Sequence, residues 1–473
     1  MIDGPRRRDR LGRRCRSGRR SGMVWSGGKV SGGMGAIDMI RRGEWHLFGA
    51  AGVVGLLAVL GSIAAAADPG ALAATPRSDW PQWRGPDRDG VSHEKGLLEA
   101  WPEKGPKLLW QSEGLGKGMA SVAISGGRIY TLGQIKGKTQ LVALAQQDGA
   151  ILWTAEVGPG NPNCTPTVAD GRVFSLGREG DLVCSDADSG KELWRKNFGN
   201  DFGGQMMSGW GYSESPLVDG DRLICTPGAA DAMIVALDAR TGATVWKAAA
   251  PANWGGDRGK DGAGYSSIVV SHGGGVKQYV QLTGRGIVSV AADDGRVLWT
   301  YNRVANGTAN IPTPIVKDDF VFCSSGYGTG SALLKLARDG SGVKAEEVYF
   351  LDAKELQNHH GGMIRIGDHI YCGHGHNNGF PMCIDMRTGE RLWKEQRGAG
   401  TGSAAVAYAD DRLYFRYENG EMALVAAEPA EYRLISQFTL ASVKGKSWPH
   451  PVIVGGRLYV RDQESLLCYD VRR

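Results

Sequence analysis

CTPTVADGRVFSLGREGDLVCSDADSGKELW, from Cys164 to Trp194, reads as an apolar strand, a tight Asp-Gly turn, a second apolar strand, a polar loop, a third strand ending near Asp, and a Gly-bearing turn into a short strand that closes on Trp. The same order returns in ESPLVDGDRLICTPGAADAMIVALDARTGATVW, from Glu214 to Trp246, and in GGMIRIGDHIYCGHGHNNGFPMCIDMRTGERLW, from Gly361 to Trp393. Short strands at regular spacing, separated by Gly and Asp turns, make a unit of four antiparallel strands, and repetition of that unit is the signature of a propeller blade.

Counting terminal aromatics gives Trp110, Trp153, Trp194, Trp246, Trp299, Phe350, Trp393 and Phe438, spaced by 43, 41, 52, 53, 51, 43 and 45 residues. The last unit, WPHPVIVGGRLYVRDQESLLCYDVRR, supplies three strands and no terminal Gly and Trp, whereas PKLLW at Pro106 to Trp110 is a closing strand with no three before it. Joining them closes a ring and removes an open sheet edge. The expected fold is therefore all-β, an eight-bladed β-propeller of four-stranded antiparallel blades closed by the N-terminal strand, with seven blades as the lesser alternative. The repeat Trp is read as structural, a flat ring wedged between neighbouring blades.

Composition agrees. Among 473 residues, 72 are glycine, and long stretches free of Gly and Pro are scarce after residue 70. The net charge of +5 hides an uneven distribution, for residues 1 to 46 carry 12 Lys and Arg against 4 Asp and Glu, leaving 43 basic and 46 acidic residues beyond them. With no basic stripe in the folding part, nucleic-acid binding is not expected. Leu47 to Ala67 is apolar, follows Arg41 and Arg42, and ends in Ala65-Ala66-Ala67. That pattern reads as a secretory signal peptide, and its length also permits an uncleaved anchor in the inner membrane. Periplasmic or secreted location is expected either way, with the membrane touched only through residues 47–67. The expected division is 1–67 as basic stretch and signal or anchor, 68–105 as a lead-in segment, and 106–473 as the propeller.

Seven cysteines follow the apolar run, an odd number. Cys184, Cys383 and Cys468 recur at one repeat position where a small buried residue fits, while Cys372 and Cys383 are placed to pair if their strands are neighbours.

Because strands alternate in direction, the long segments that lead into first strands and the loops between second and third strands gather at one end of the ring. Function is expected at that loop-rich end. NHHGG and GHGHNNG place His359, His360, His374 and His376 there, with Asn358 and Asn377 beside them. Two His pairs on extended segments suit a transition metal, and equally suit hydrogen bonding to loop backbone at the channel mouth. SGWGYSESP brings Trp210 and Glu214 to the start of another inner strand, an aromatic and a carboxylate fit for a planar or sugar-like ligand or for loop packing. DWPQWRGPDRDG, from Asp79 to Gly90, is read as a segment in which Trp80 and Trp83 cap the ring or cover its edge. Nothing in the sequence fixes whether Arg84 reaches the channel. The chain has no G-x-S-x-G, HExxH, P-loop or CxxCH motif.

LDARTGATVW, Leu237 to Trp246, and IDMRTGERLW, Ile384 to Trp393, resemble the tryptophan-docking repeat of the pyrroloquinoline quinone (PQQ) propeller superfamily, over nearly all of residues 80 to 473. That resemblance implies either a quinoprotein dehydrogenase using PQQ with calcium, or a non-catalytic, BamB-like scaffold that binds an envelope protein or polymer partner. The adjacent cysteine pair typical of quinoprotein alcohol dehydrogenases is missing here, and no Glu, Asn and Asp set for calcium can be placed, although Glu214 stands at a strand start. The binding role is the first expectation. A PQQ- or metal-dependent oxidoreductase with its site at the channel mouth is the second.

Overall fold

The computed structural model of the protein describes residues 79–473. The apolar run at residues 47–67, read from the sequence as signal or anchor, lies outside them. Among the described residues no helix is long and apolar enough to cross a membrane.

Eight antiparallel blades form the ring. Blade 1 contains Ala123–Ser125, Arg128–Ile135, Lys138–Ala145 and Ile151–Pro159, in that order from the channel outward, and blades 2 to 5 repeat it. Blade 6 keeps three strands, Met363–Ile366, His369–His374 and Phe380–Asp385, and its fourth shrinks to one bridge between Ile384 and Arg391. Closure is as the sequence suggests. Lys107–Ser112 pairs with Ser465–Asp470 as the outer strand of blade 8, in the register Lys107 with Asp470 and Ser112 with Leu466. A strand from the N-terminal end thus supplies the pairing that the C-terminal unit lacks.

The blades dock through one repeated contact. Trp153 of blade 1 lies over Gly190 of blade 2, Trp194 over Gly242 of blade 3, and Trp110 of blade 8 over Gly149 of blade 1. These glycines have φ between +72° and +75°, a conformation costly for other residues, and a Cβ on Gly190 would stand 2.6 Å from the Trp153 ring. Trp194 and Trp393 also donate their indole N–H to carbonyls of the next blade, Ala239 at 3.2 Å and Glu428 at 2.9 Å. A one-residue bulge precedes each of these strand-borne rings, as between Glu192 and Trp194, and turns it off the strand line toward the neighbour.

Two aromatics depart from the expected register. In blade 5 the docking position belongs to Tyr349, which faces Gly389 and donates to Met386 O at 2.7 Å, and Phe350 stacks under Arg303 instead. In blade 7 that position is Ser436, and Phe438 packs two residues on against Trp101 and Gly105. Counting from the last aromatic misses the bulge, which fixes the true position.

All seven described cysteines are free and buried. Cys372 pairs across the sheet with Met382, and Cys383 with Tyr371, so the two thiols stand one residue out of register and face opposite sides of the blade. Cys372 joins the core between blades 5 and 6 and Cys383 the core between blades 6 and 7, which rules out the disulfide that strand adjacency alone permits.

Gly190→Ala and Gly275→Ala separate backbone strain from the docking contact. Gly275 has φ +70° and open space around a Cβ. Its substitution should cost about 1 kcal/mol. Gly190→Ala adds the clash with Trp153 and should cost a further ~1–3 kcal/mol, read by denaturant unfolding.

Candidate functional site

The segment Asp79 to Gly90 covers inner sheet edges rather than capping the ring from outside. It threads the channel, touching inner strands all around. Trp80 exchanges two 2.8 Å backbone hydrogen bonds with Ile124 of blade 1, Pro81 O accepts from Val168 N of blade 2, and Gly90 O accepts from Tyr408 N of blade 7. Two arginines complete the plug. Arg88 donates to Ser215 O and Pro216 O of blade 3 at 2.7 and 3.2 Å, and Arg84 to Asp89 O at 2.6 Å and to Met363 O of blade 6. Both arginines are buried and both have positive φ, 61° and 56°. Such strain persists only where surrounding bonds hold it. Val91–Ser92 then adds a short parallel strand to the inner edge of blade 7.

Above the plug the channel widens into a cavity of about 480 Å³, lined by the segments that lead into the first strands of every blade except blade 7 and by the second-to-third loops of blades 5 and 6. Trp83 and Arg84 line it beside the plug. His450 meets Trp83 edge to face, with ring centroids 4.4 Å apart. Gly362, the last residue of NHHGG, allows that approach, since a Cβ there would fall 3.1 Å from Arg84 Nη1 and 2.5 Å from His450. Trp448 stacks on His360 at 3.9 Å and 14°. Trp210, 58% exposed, lines the cavity as well.

Of the residues singled out from sequence, Trp210, His359, His360, His376 and Asn377 line the cavity. His359, His376 and His360 cluster, with centroids 3.6 Å apart for His359 and His360 and 4.0 Å for His359 and His376. Their nitrogens are largely engaged within the protein. His359 bonds Ser403 Oγ at 2.9 Å and Tyr327 Oη at 3.0 Å, His360 shares the same Ser403 hydroxyl at 3.2 Å, and His376 Nδ1 accepts from Tyr327 N at 3.4 Å. His374 lies apart, buried, its Nδ1 accepting from Gln357 N. Among the described residues no three His, Cys, Asp or Glu side chains are grouped as metal ligands. Burial, reinforced by His376, pushes His359 down to about 3, and burial, with Arg84 adding to it, takes His450 to about 3 as well. These imidazoles are neutral at neutral pH and serve as hydrogen-bonding walls.

Asn358 and Glu214 stand behind the wall. Asn358 donates to Gly373 O at 3.0 Å. Glu214 is buried in a closed network, accepting from Thr226 N at 2.7 Å, Thr226 Oγ1 at 2.9 Å and Gln281 Nε2 at 3.2 Å. Burial pushes its carboxyl up to about 8, against the pull of those Thr226 bonds and of the Arg88 charge.

The family model described as outer membrane protein assembly factor BamB, a PQQ-repeat model, matches residues 94–175 and 137–395. The chain belongs to the PQQ-repeat β-propeller family. No curated protein sequence matches it. Among solved structures, this PQQ-repeat propeller is similar to BamB from Moraxella catarrhalis, with 16% identity over 77% of this chain and 97% of that one and a TM-score of 0.55. It is likewise similar to a quinohemoprotein alcohol dehydrogenase from Comamonas testosteroni (15%, 83% and 80%, 0.58) and to a europium-containing methanol dehydrogenase (13%, 81% and 89%, 0.59). At these identities the likeness is one of fold.

Calcium with a quinone does not fit the cavity of this PQQ-repeat propeller. Calcium takes six to eight oxygens, carboxylates among them. Among the described residues no Asp or Glu lines the cavity. Glu214, the one carboxylate that the sequence offered, has its oxygens committed to Thr226 and Gln281 and favours its protonated form.

Sequence reasoning missed Tyr327, Lys446, Trp448 and His450. WPHP opens the closing unit and reads as a strand lead-in, with nothing local to mark its Trp and His as cavity lining.

A Glu214→Gln variant tests the buried carboxyl. A folded-state value raised to about 8 from the ordinary 4.5 gives stabilisation that is complete below 4.5 and lost as pH climbs through about 8. The variant lacks that loss, so its stability relative to the native protein should rise from pH 5 to about pH 8 and level off above it in denaturant titrations. A flat difference contradicts the assignment.

Proposed function

We propose that the protein is an envelope-located binding propeller, with a non-catalytic, BamB-like role, and that its ligand or partner engages the cavity at the loop-rich end of the channel. The observation that carries this reading is the composition of the cavity wall: Trp83, Trp210, Tyr265, Tyr327 and Trp448 alternate with Ser, Thr, Asn and neutral His, and among the described residues no carboxylate is placed there to act as base or metal ligand. Concave, aromatic-lined sites with a few oriented polar groups are binding sites first. General-base oxidation of an alcohol needs a group that takes a proton near neutral pH. His359 and His450, at about 3, are too weakly basic.

Family and fold support the location and the kind of partner. The matching family model bears the name of an outer membrane assembly factor, and the apolar run at 47–67 reads as an export signal or anchor. The partner under this reading is an envelope protein or polymer that presents a chain end or side branch to a cavity open on one side. A rigid ring is a suitable platform, because loops held by docked blades lose little freedom on binding.

Two measurements separate this from the dehydrogenase reading. Incubation of the exported form with PQQ and calcium should leave no quinone absorbance after gel filtration and no dye-linked oxidation of alcohols or sugars. Capture of envelope protein or polymer should fall at least about tenfold in a Trp210→Ala/Trp448→Ala variant, as expected for aromatic anchors. It should be unchanged in Arg296→Ala, which alters the opposite, turn-bearing end. Retained quinone with dye reduction, or capture indifferent to the aromatic pair, would overturn the reading.

A further inference from the structure

We propose that the cavity binds an acidic sugar, a uronic acid ring near the end of a glycan chain, with its carboxylate toward Arg84 and its ring against Trp448. This rests on the reading of the cavity as the binding site and adds the chemistry of what enters it.

Charge points to an anion. Arg84 is 4% exposed and lines the cavity, yet no carboxylate pairs with it among the described residues: its bonds run to the carbonyls of Asp89 and Met363. The nearby Asp89 carboxylate accepts from Val91 N instead. Burial lowers Arg84 only to about 10, so the guanidinium stays charged at neutral pH. A buried charge that is offset only by the nearby Asp89 carboxylate, with no ion pair to it, is expensive, and an incoming anion lowers that cost. Lys446 adds a second cation to the lining, 3.4 Å from Glu418, which does not line the cavity. Two buried polar atoms here also lack any hydrogen-bond partner, Arg84 Nε and His450 Nδ1.

The walls point to a sugar. A pyranose has an apolar C–H face that lies on an indole and a rim of hydroxyls that needs donors and acceptors. The Trp448 and His360 stack offers the flat surface. Asn163 spends its Nδ2 on Trp210 O and Asn377 its Oδ1 on Ser403, which leaves one end of each amide for a hydroxyl. A wholly aromatic anion would desolvate those groups without bonding them, a cost of roughly 1–3 kcal/mol each. The plug seals one end, so a polymer inserts an end or a branch, and exposed Trp210 supplies a further ring for the next sugar.

Titration calorimetry of the exported chain with trigalacturonate, the neutral galactose trimer and 4-hydroxybenzoate tests this directly. Trigalacturonate should bind at least about tenfold more tightly than the neutral trimer, with the preference shrinking as salt rises. Trp448→Ala should abolish binding, and Lys446→Gln, an exposed substitution that leaves the plug intact, should narrow the preference several-fold. A neutral trimer within about twofold of the acid, tighter binding of 4-hydroxybenzoate, or no binding of any of the three overturns the proposal. Neutral-sugar binding that Trp448→Ala abolishes would sink the anion preference alone and leave the cavity as the binding site. Partner capture that survives Trp210→Ala/Trp448→Ala sinks the underlying reading instead.

Discussion

Two guanidinium groups buried in the channel hold the loop-rich end together. Arg84 and Arg88 lie four residues apart in one turn-rich segment and reach opposite sides of the ring, Met363 of blade 6 and Ser215 and Pro216 of blade 3. Each bonds to backbone carbonyls, groups that every inner strand presents and that need a donor once water is excluded. The plug thereby satisfies strand starts that a hollow channel would leave to solvent, and it converts a through-channel into a blind cavity. The strain of two left-handed arginines is the cost of that placement.

The ring itself obeys a simpler constraint. A blade is a small sheet with two apolar faces, and it is stable only when both are covered. The Trp-on-Gly contact sets the spacing between neighbours, and continuous cores fill the gaps, as where Tyr130, Phe174 and Leu223 from three successive blades share one cluster. Closure by Lys107–Ser112 makes this circular, so no blade is terminal. Loops at the channel mouth inherit a rigid base. That is why side chains as distant in sequence as Trp83, Trp210, Tyr327 and Trp448 define one wall.

Fold and site were legible to different degrees for physical reasons. Blade count and closure follow from periodicity and turn chemistry, which are local, and they read directly. The docking residues Tyr349 and Ser436 escaped because a bulge shifts register by one residue without a mark in composition. The histidines of NHHGG line the cavity, whereas His374 and Glu214 point into the protein, and alternation along a strand fixes such a choice only when the register of the neighbouring strand is known. Arg84 was the hardest to read: a short polar segment before the first blade looks like a lead-in, and only the assembled ring shows that it fills the hole. Family resemblance supplied the fold and two opposed functions. The composition of the cavity wall, on which the proposed binding role rests, is visible only once eight blades are assembled.

The blind cavity depends on the plug being a fixed part of the ring, and hydrogen–deuterium exchange tests that most directly. Amides that bond across the plug, Trp80 to Ile124, Val168 to Pro81 and Tyr408 to Gly90, should be protected to the same degree as the middle strands of the blades. Exchange of these amides as fast as the exposed Asp170–Gly171 turn, with the middle strands still protected, would mean that the segment leaves the channel freely and that the cavity has no standing floor.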